Sequence, residues 1–166
     1  IKDPTGFYIH KGEVKSGTAT NGIDVTLSVD AEKRRMTALN HSATHILHSA
    51  LHNILGDHVK QAGSLVSSDR LRFDFTHFAQ VDRETLDAIE LFVNEKICLN
   101  TPINTAEMDA EEAFKSGATA LFEEKYGDRV RVVSMSDFSK EFCGGTHTSR
   151  TGDIGFFKIL TETNVA

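Results

Sequence analysis

Positively charged residues are in short supply in this chain of 166 residues. It carries 18 lysines and arginines against 24 aspartates and glutamates, which gives a formal net charge of −6. A domain that holds nucleic acid through bulk electrostatics needs clustered basic side chains to neutralise phosphates. The charge balance therefore argues against that class, and a nucleic-acid partner would have to be delivered by another part of a larger protein.

Cysteines and long apolar runs are also scarce. The two cysteines are Cys98 and Cys143, and the sequence shows neither a secretory leader pattern nor an apolar run near the ~18 residues that cross a bilayer. These absences predict a soluble protein with no membrane partner, in a reducing compartment such as the cytoplasm. The chain opens on Ile1 rather than Met, in a turn that leads towards a strand, so we interpret it as a piece of a longer protein.

The spacing of apolar residues predicts both strands and helices. Residues 23–29 alternate between apolar and polar side chains, which is typical of a half-buried strand, and belong to a glycine-punctuated β unit over residues 5–30. Asp30 then occupies the N-cap position of a long helix that reaches Leu55 and stops at Gly56. Further strands are predicted at 70–75, 129–135 and 153–160, and further helices after Asp82 and after the acidic capping box that begins at Asp109.

The order of these elements predicts an α+β fold. Strands and helices joined by short connections favour an antiparallel sheet with helices packed on one face. We expect this core to occupy residues 31–166, preceded at 1–30 by the C-terminal part of a small, β-barrel-like subdomain.

Four histidines line up in the segment HSATHILHSALH, at positions 41, 45, 48 and 52. Helical geometry places them in one stripe, opposite the apolar residues, and two histidines at i and i+4 can reach one metal ion. The stripe holds two such pairs whose centres lie ~10 Å apart, so one ion cannot use all four and the spacing does not choose between them. Ser42 stands where a zincin carries its general base, which argues against a metalloprotease. The alternative is a set of solvated or hydrogen-bonded histidines.

A second candidate half-site lies about a hundred residues downstream, in Cys143-Gly144-Gly145-Thr146-His147. A thiolate and an imidazole, separated by two glycines that allow a tight turn, could complete a tetrahedral site, and these ligands favour zinc over magnesium or calcium. The same residues could instead form a catalytic cysteine with a histidine base, or Cys143 could be a buried, inert thiol. Cys98 has no partner in the sequence and is expected to be inert.

Several longer motifs carry a family resemblance. They are NHSATHILHSAL, GDHVKQAGSLVSSDRLRFDFTHF, GATALFEEKYGDRVRVVSM and EFCGGTHTSRTGDIGFFKIL. Together they cover most of the chain, and it resembles the editing domain of alanyl-tRNA synthetase. Free-standing deacylases and the editing domain of threonyl-tRNA synthetase share the paired histidine and Cys-x-x-x-His elements, but the third and fourth motifs fit the alanyl pattern better.

The resemblance implies particular site residues. Zinc would be bound by His41, His45, Cys143 and His147, whereas His48 and His52 would be polar bystanders on the helix. Gln61 and Thr44 would lie near the bound aminoacyl end and orient it. The glycine-rich loop that usually precedes this region in the family is missing from the chain.

The resemblance also implies a reaction, the hydrolysis of serine or glycine wrongly esterified to the acceptor end of tRNA(Ala). The remaining domains of the parent synthetase would supply most of the affinity for tRNA, with local contacts from the basic residues Lys60, Arg70, Arg72 and Arg150. Asp74 is a weak candidate for a general base. The alternatives are a non-catalytic, zinc-stabilised RNA-binding module, a free-standing deacylase and a metal-free Cys/His hydrolase.

Overall fold

The long helix α1 (Ala31–Leu55) is exposed at its start and buried over residues 42–51. The computed structural model describes residues 3–120 and 127–164. The Asp30 side chain accepts a hydrogen bond from the backbone N–H of Lys33, which caps the first turn, and the helix ends at Gly56, whose φ of 108° suits glycine. Both ends agree with the sequence prediction, because the two signals are local.

Two antiparallel sheets contact α1. The first is a hairpin of β1 (Gln61–Val66) and β2 (Leu71–Phe75). The second has the strand order β3 (Ile103–Asp109), β4 (Arg129–Met135), β5 (Ser139–Phe142). The remaining elements are α2 (Arg83–Cys98), α3 (Ala110–Lys115) and a 3-10 helix (Thr151–Ile154). The α+β fold with antiparallel pairing is therefore confirmed, although the expected single sheet is two.

The main core fills the space between α1, α2 and β4. Its fully buried side chains include Ile46, Ile89, Val93 and Met135, each of which stabilises the fold by roughly 1.5–3 kcal/mol through burial. The histidine stripe on the other side of α1 does not face solvent, because β5 packs against the helix there. His45 and His48 are buried as a result, which the alternation of apolar and polar residues along α1 could not reveal.

The strand predicted at 153–160 is wrong. After the 3-10 helix the described chain has no regular secondary structure and pairs with no strand of the described residues. Its backbone bonds to side chains of α2 instead. Phe157 N–H donates to Asn94 Oδ1 at 2.9 Å, and Ile159 N–H donates to Glu90 Oε2 at 2.9 Å. The apolar residues alternate because one side of the segment packs against α2. Phe157 is buried on that side, whereas Phe156 is exposed.

The predicted β unit at 5–30 is not confirmed. The described residues 3–30 contain no strand, and the apolar side chains of the alternating segment are exposed. An isolated extended segment cannot satisfy its backbone N–H and C=O groups within a sheet, and no strand of the described chain pairs with residues 23–29. The division at residue 30 stays a prediction.

Three strands were not foreseen. β1 contains a glycine, while β3 and β5 are rich in polar residues, so all three lack a clear apolar alternation.

The capping box predicted at Asp109 is absent. Asp109 ends β3 and makes no side-chain cap bond, and its carboxylate lies 4.0 Å from the Arg129 guanidinium. Residues 121–126 of the third motif lie outside the described residues.

None of the helices within 3–120 and 127–164 has the length and apolar content that a bilayer crossing requires.

Candidate metal centre

Helix α1 and the loop after β5 bring four potential ligands together. His41 and His45 lie one helical turn apart with their rings stacked at a centroid distance of 5.3 Å. The loop places Cys143 Sγ 3.4 Å from Nε2 of His41 and 3.3 Å from Nε2 of His147. One ligand atom from each of His41, His45, Cys143 and His147 falls within 4.8 Å of the others. The two half-sites expected from the sequence are therefore neighbours in space.

The ring of His45 is held by Glu141 of β5. Its Nδ1 lies 2.5 Å from Glu141 Oε2, while its Nε2 is buried and has no hydrogen-bond partner among the described residues. A buried polar atom without a partner is unfavourable and calls for an explanation. A metal ion shared with the neighbouring thiolate and imidazoles would satisfy it, so the donor set fits zinc on this observation.

Ser42 fixes the ring of His147 in a similar way. Its Oγ lies 3.3 Å from Nδ1 of His147 and accepts the backbone N–H of Thr148 at 3.2 Å. The Nε2 atom of His147 is then the one that faces Cys143. Ser42 is fully buried. In the sequence this residue only argued against a metalloprotease, but in the structure it orients His147.

The charge state of Cys143 also suits a metal ligand. Burial raises the pKa of its thiol, but hydrogen bonds from His147 and His41 and the electrostatic attraction of nearby His45 outweigh burial and bring the pKa to about 3. Burial lowers the pKa of His147, which favours the neutral imidazole. At His45 burial also lowers the pKa, but Cys143 and Glu141 outweigh burial and raise the pKa to about 10, so zinc binding at His45 would release a proton. A thiolate and neutral imidazoles are the forms that bind zinc.

Arg131 of β4 anchors the loop that carries Cys143. Its guanidinium donates to the carbonyl of Gly145, and its own carbonyl accepts the N–H of Cys143 at 2.9 Å. The two loop glycines differ in their surroundings: a Cβ on Gly145 would collide with the ring of His41, whereas one on Gly144 would meet nothing within 4 Å. Only Gly145 is required for the loop to approach the helix.

A cleft of about 470 Å³ opens beside the four ligands. Its walls include Thr44 and Gln61, the two residues expected to orient a substrate. Thr44 Oγ1 donates to the carbonyl of Asn40 at 2.9 Å, and Gln61 Nε2 donates to Ser64 Oγ at 3.2 Å. The Thr44 oxygen and the Gln61 carbonyl oxygen both retain lone pairs that could accept a hydrogen bond.

His48 and His52 lie outside the ligand group. His48 is buried, with its Nδ1 2.8 Å from Glu141 Oε1. His52 is half-buried and lies 4.0 Å from Asp57. The expectation of simple polar residues on a helix flank suits His52, whereas His48 belongs to a buried hydrogen-bond network.

The basic residues named from the sequence do not line the cleft. The Arg72 guanidinium forms an ion pair with Asp74 at 2.9 Å, so the carboxylate of this weak candidate base is already engaged. Arg150 donates a hydrogen bond to Asn100 Oδ1. Lys60 and Arg70 are exposed away from the cleft walls. The arginines on the walls are Arg129 and Arg131. Cys98 is a free, exposed thiol.

Sequence reasoning missed Glu141, Ser42 and Arg131. A signal for Glu141 was present, because it stands two residues before Cys143 and alternate residues of a strand share a face. The polar character of β5 concealed that strand and with it the shared face. Ser42 and Arg131 had no comparable signal.

Comparison with known proteins gives consistent matches. A family model described as the threonyl and alanyl tRNA synthetase second additional domain matches residues 130–166. The alanine–tRNA ligase of Desulfosudis oleivorans is 63% identical over 166 residues, which is 100% of this chain and 19% of the relative. Alanine–tRNA ligase 1 of Lachnoclostridium phytofermentans is 56% identical, with the same coverage. The Acetivibrio thermocellus alanine–tRNA ligase is 52% identical over 165 residues, 99% of the chain and 19% of the relative. The chain thus spans about a fifth of the length of these curated relatives.

Proposed function

The chain is related along its whole length to a segment of alanine–tRNA ligases, and from that premise we propose that it is a zinc-dependent editing domain. In this proposal it hydrolyses the ester of serine or glycine on the acceptor end of tRNA(Ala). The observation that carries the proposal is the group of four ligand atoms, all within 4.8 Å of one another, at the wall of a cleft. The sequence motifs resemble the editing domain of alanyl-tRNA synthetase, and these relatives are alanine–tRNA ligases, so the two observations agree.

His41, His45, Cys143 and His147 would hold the ion in this proposal. When bound, zinc supplies Lewis-acid chemistry next to the cleft. The protein's own contribution is to orient these ligands through Glu141 and Ser42 and to exclude bulk water from the buried side of the site. The cytoplasm, where aminoacyl-tRNA is used, is the proposed location.

Thr44 and Gln61 would orient the aminoacyl group. Because the Thr44 hydroxyl donates to the Asn40 carbonyl, its oxygen is left to accept a hydrogen bond from the substrate. The Gln61 amide is steadied by Ser64 and can accept through its carbonyl oxygen. A polar wall of this kind suits the hydroxyl of serine, and glycine leaves room there for a water molecule. The methyl group of alanine would displace that water without replacing its hydrogen bonds, so the alanine ester would be spared.

The need for such a site follows from the limits of discrimination by binding. A pocket built for alanine cannot strongly exclude glycine, which is smaller, or serine, which adds only a hydroxyl, because such differences are worth roughly 1–3 kcal/mol. A second, hydrolytic site multiplies the selectivity. The net charge of −6 implies that the remaining domains of the parent synthetase supply most of the affinity for tRNA(Ala), with Arg129 and Arg131 as local contacts.

The test is deacylation of Ser-, Gly- and Ala-tRNA(Ala) by this chain and by the full-length parent, with and without a chelator. Serine and glycine esters should be hydrolysed much faster than the alanine ester, and chelation should stop the reaction. Cys143→Ala should lose both zinc and activity, whereas the matched control Cys98→Ala should keep both, because Cys98 is exposed and does not belong to the ligand group. Equal hydrolysis of all three esters, or full zinc content in Cys143→Ala, would contradict the proposal.

A second candidate function is a non-catalytic, zinc-stabilised RNA-binding module. It is favoured by the number of ligands, since four protein side chains can close a tetrahedral site, as in structural zinc sites. This candidate predicts tight zinc binding and no deacylation by either the chain or the full-length parent.

A further inference from the structure

Glu141 is a buried carboxylate placed between two histidines of α1. It is 4% exposed, with Oε2 2.5 Å from Nδ1 of His45 and Oε1 2.8 Å from Nδ1 of His48. Burial of a carboxylate is costly unless both oxygens find strong donors. The two imidazoles, three residues apart on one helix face, supply one N–H to each oxygen.

The chemistry of this contact determines which nitrogen of His45 is available. An ionised carboxylate can only accept hydrogen bonds, so Nδ1 must carry a proton in both rings. Nε2 of His45 is then left to serve as a ligand, and it is this atom that is buried without a hydrogen-bond partner among the described residues. A carboxylate that accepts a hydrogen bond from a metal-binding histidine orients its ring and increases its basicity.

His48 completes the arrangement from the far side. His48 is 5% exposed, and its ring packs against Phe73 at a centroid distance of 5.5 Å. Its Nδ1 lies 2.8 Å from Oε1 of Glu141, the oxygen that does not bond to His45. If His48 were absent, Oε1 would be buried with one fewer donor, and the carboxylate could turn away from His45. The position of His48 three residues after His45 thus serves the carboxylate rather than a metal ion.

We propose that Glu141, held in place by His48, is a positioning residue that fixes His45 with Nε2 directed at the metal centre. This inference rests on the zinc site of the proposed function and adds two residues that act through His45. His48 is then the outermost member of a relay from His48 through Glu141 to His45.

Glu141→Gln is the sharpest variant because it keeps the shape and removes the charge. A glutamine offers one acceptor oxygen and one NH₂ donor, so it can accept from the N–H of only one histidine. If its NH₂ group faces His45, it favours the tautomer with the proton on Nε2, which cannot bind zinc. If its oxygen faces His45, the neutral amide accepts more weakly than the carboxylate and steadies the ring less. We expect zinc affinity to fall about 10- to 100-fold.

The experiment measures zinc affinity by competition with a chromophoric chelator, on the whole chain. Glu141→Gln and His48→Gln should both weaken binding, while the matched control His52→Gln should not, because His52 is half-buried on the same helix face and does not bond to Glu141. Zinc affinity of Glu141→Gln within about twofold of the wild type would overturn the inference. A wild type that binds no zinc would instead refute the proposed function, so the two failures are distinguishable.

A spectroscopic measurement on the wild type covers the case in which a variant does not fold. Long-range proton–nitrogen correlation spectra of the zinc-loaded chain report which ring nitrogen is protonated and which is bound. His45 should carry its proton on Nδ1 and bind through Nε2. Binding through Nδ1 would overturn the inference whatever the variants do.

Discussion

Gly145 faces His41 so closely that a Cβ atom added to the glycine would lie 1.9 Å from Cε1 of the imidazole. No side-chain atoms can occupy that space while the loop keeps its place beside α1. The loop carries Cys143 and His147, so the distance between the two half-sites depends on this contact.

Gly145→Ala should therefore push the loop and the helix apart. We expect zinc affinity to fall at least ~10-fold and the free energy of unfolding to decrease by roughly 1–3 kcal/mol, as in other overpacked sites. Chelator competition and chemical denaturation measure the two effects. Gly144→Ala is the matched control, because a Cβ there meets nothing within 4 Å; equal losses in both variants would show that the contact with His41 is not the cause.

Thr44→Val should weaken editing of the serine ester. Thr44 lines the cleft, and the substitution keeps its branched shape but removes its hydroxyl, so the proposed substrate hydrogen bond, worth roughly 1–3 kcal/mol, would be lost. We expect kcat/KM for Ser-tRNA(Ala) to fall about 10- to 100-fold, measured by single-turnover deacylation.

Thr37→Val controls for the helix itself. Thr37 lies on α1 and donates to the carbonyl of Lys33 at 2.7 Å, the same backbone bond that Thr44 makes to Asn40, but Thr37 is not on the cleft wall. Thr37→Val should leave deacylation unchanged. An equal loss in the two variants would mean that the effect comes from the helix and not from the substrate.

Cys143 should be a thiolate at neutral pH even in the zinc-free protein. Burial raises the pKa of this thiol, but hydrogen bonds from His147 and His41 outweigh burial and bring the pKa to about 3. The thiolate should therefore persist as the pH falls from 7 and disappear only near that value. Ultraviolet thiolate absorbance of the chelator-treated chain follows the titration. Cys143→Ser should remove the acidic step and Cys98→Ser should keep it. A thiolate signal lost already near 9, the ordinary value of a thiol, would contradict the proposed hydrogen bonding.

Glu90 should make the stability depend on pH at the acidic end. The ammonium of Lys158, 2.7 Å from Oε1, and the N–H of Ile159 lower the pKa of this carboxyl below its ordinary value of 4.5. The folded state thus binds fewer protons than the unfolded state, so the contribution is complete above the ordinary value and disappears as the pH falls through the folded one. Glu90→Gln should cost about 1 kcal/mol at neutral pH and much less at strongly acidic pH.

Chemical denaturation at the two pH values tests this dependence. Glu95→Gln is the control, because Glu95 lies on the same helix but is exposed, and it should change little at either pH. A penalty for Glu90→Gln that stays the same at acidic pH would show that packing, and not the charge of the carboxylate, holds the segment 156–160.

Local signals in the sequence were sufficient for much of the fold. Asp30 and Gly56 give the ends of α1, and the alternation at 70–75 and 129–135 gives β2 and β4. The prediction failed where the partner of a segment lies elsewhere in the chain. Residues 153–160 have the alternation of a strand, but their N–H groups bond to Asn94 and Glu90 of a helix, and periodicity cannot report which kind of element a segment packs against.

The candidate site divides in the same way. Helical periodicity alone puts the histidines of α1 in one stripe, and the short sequence between Cys143 and His147 alone puts a thiolate near an imidazole, because both arrangements depend on neighbours within a few residues. Spacing could not choose between the histidine pairs. Folding brings the loop after β5 to His41 and His45 and directs Glu141 towards His45 and His48. These contacts join residues more than ninety positions apart, and such distances are decided by the packing of whole elements rather than by any local pattern.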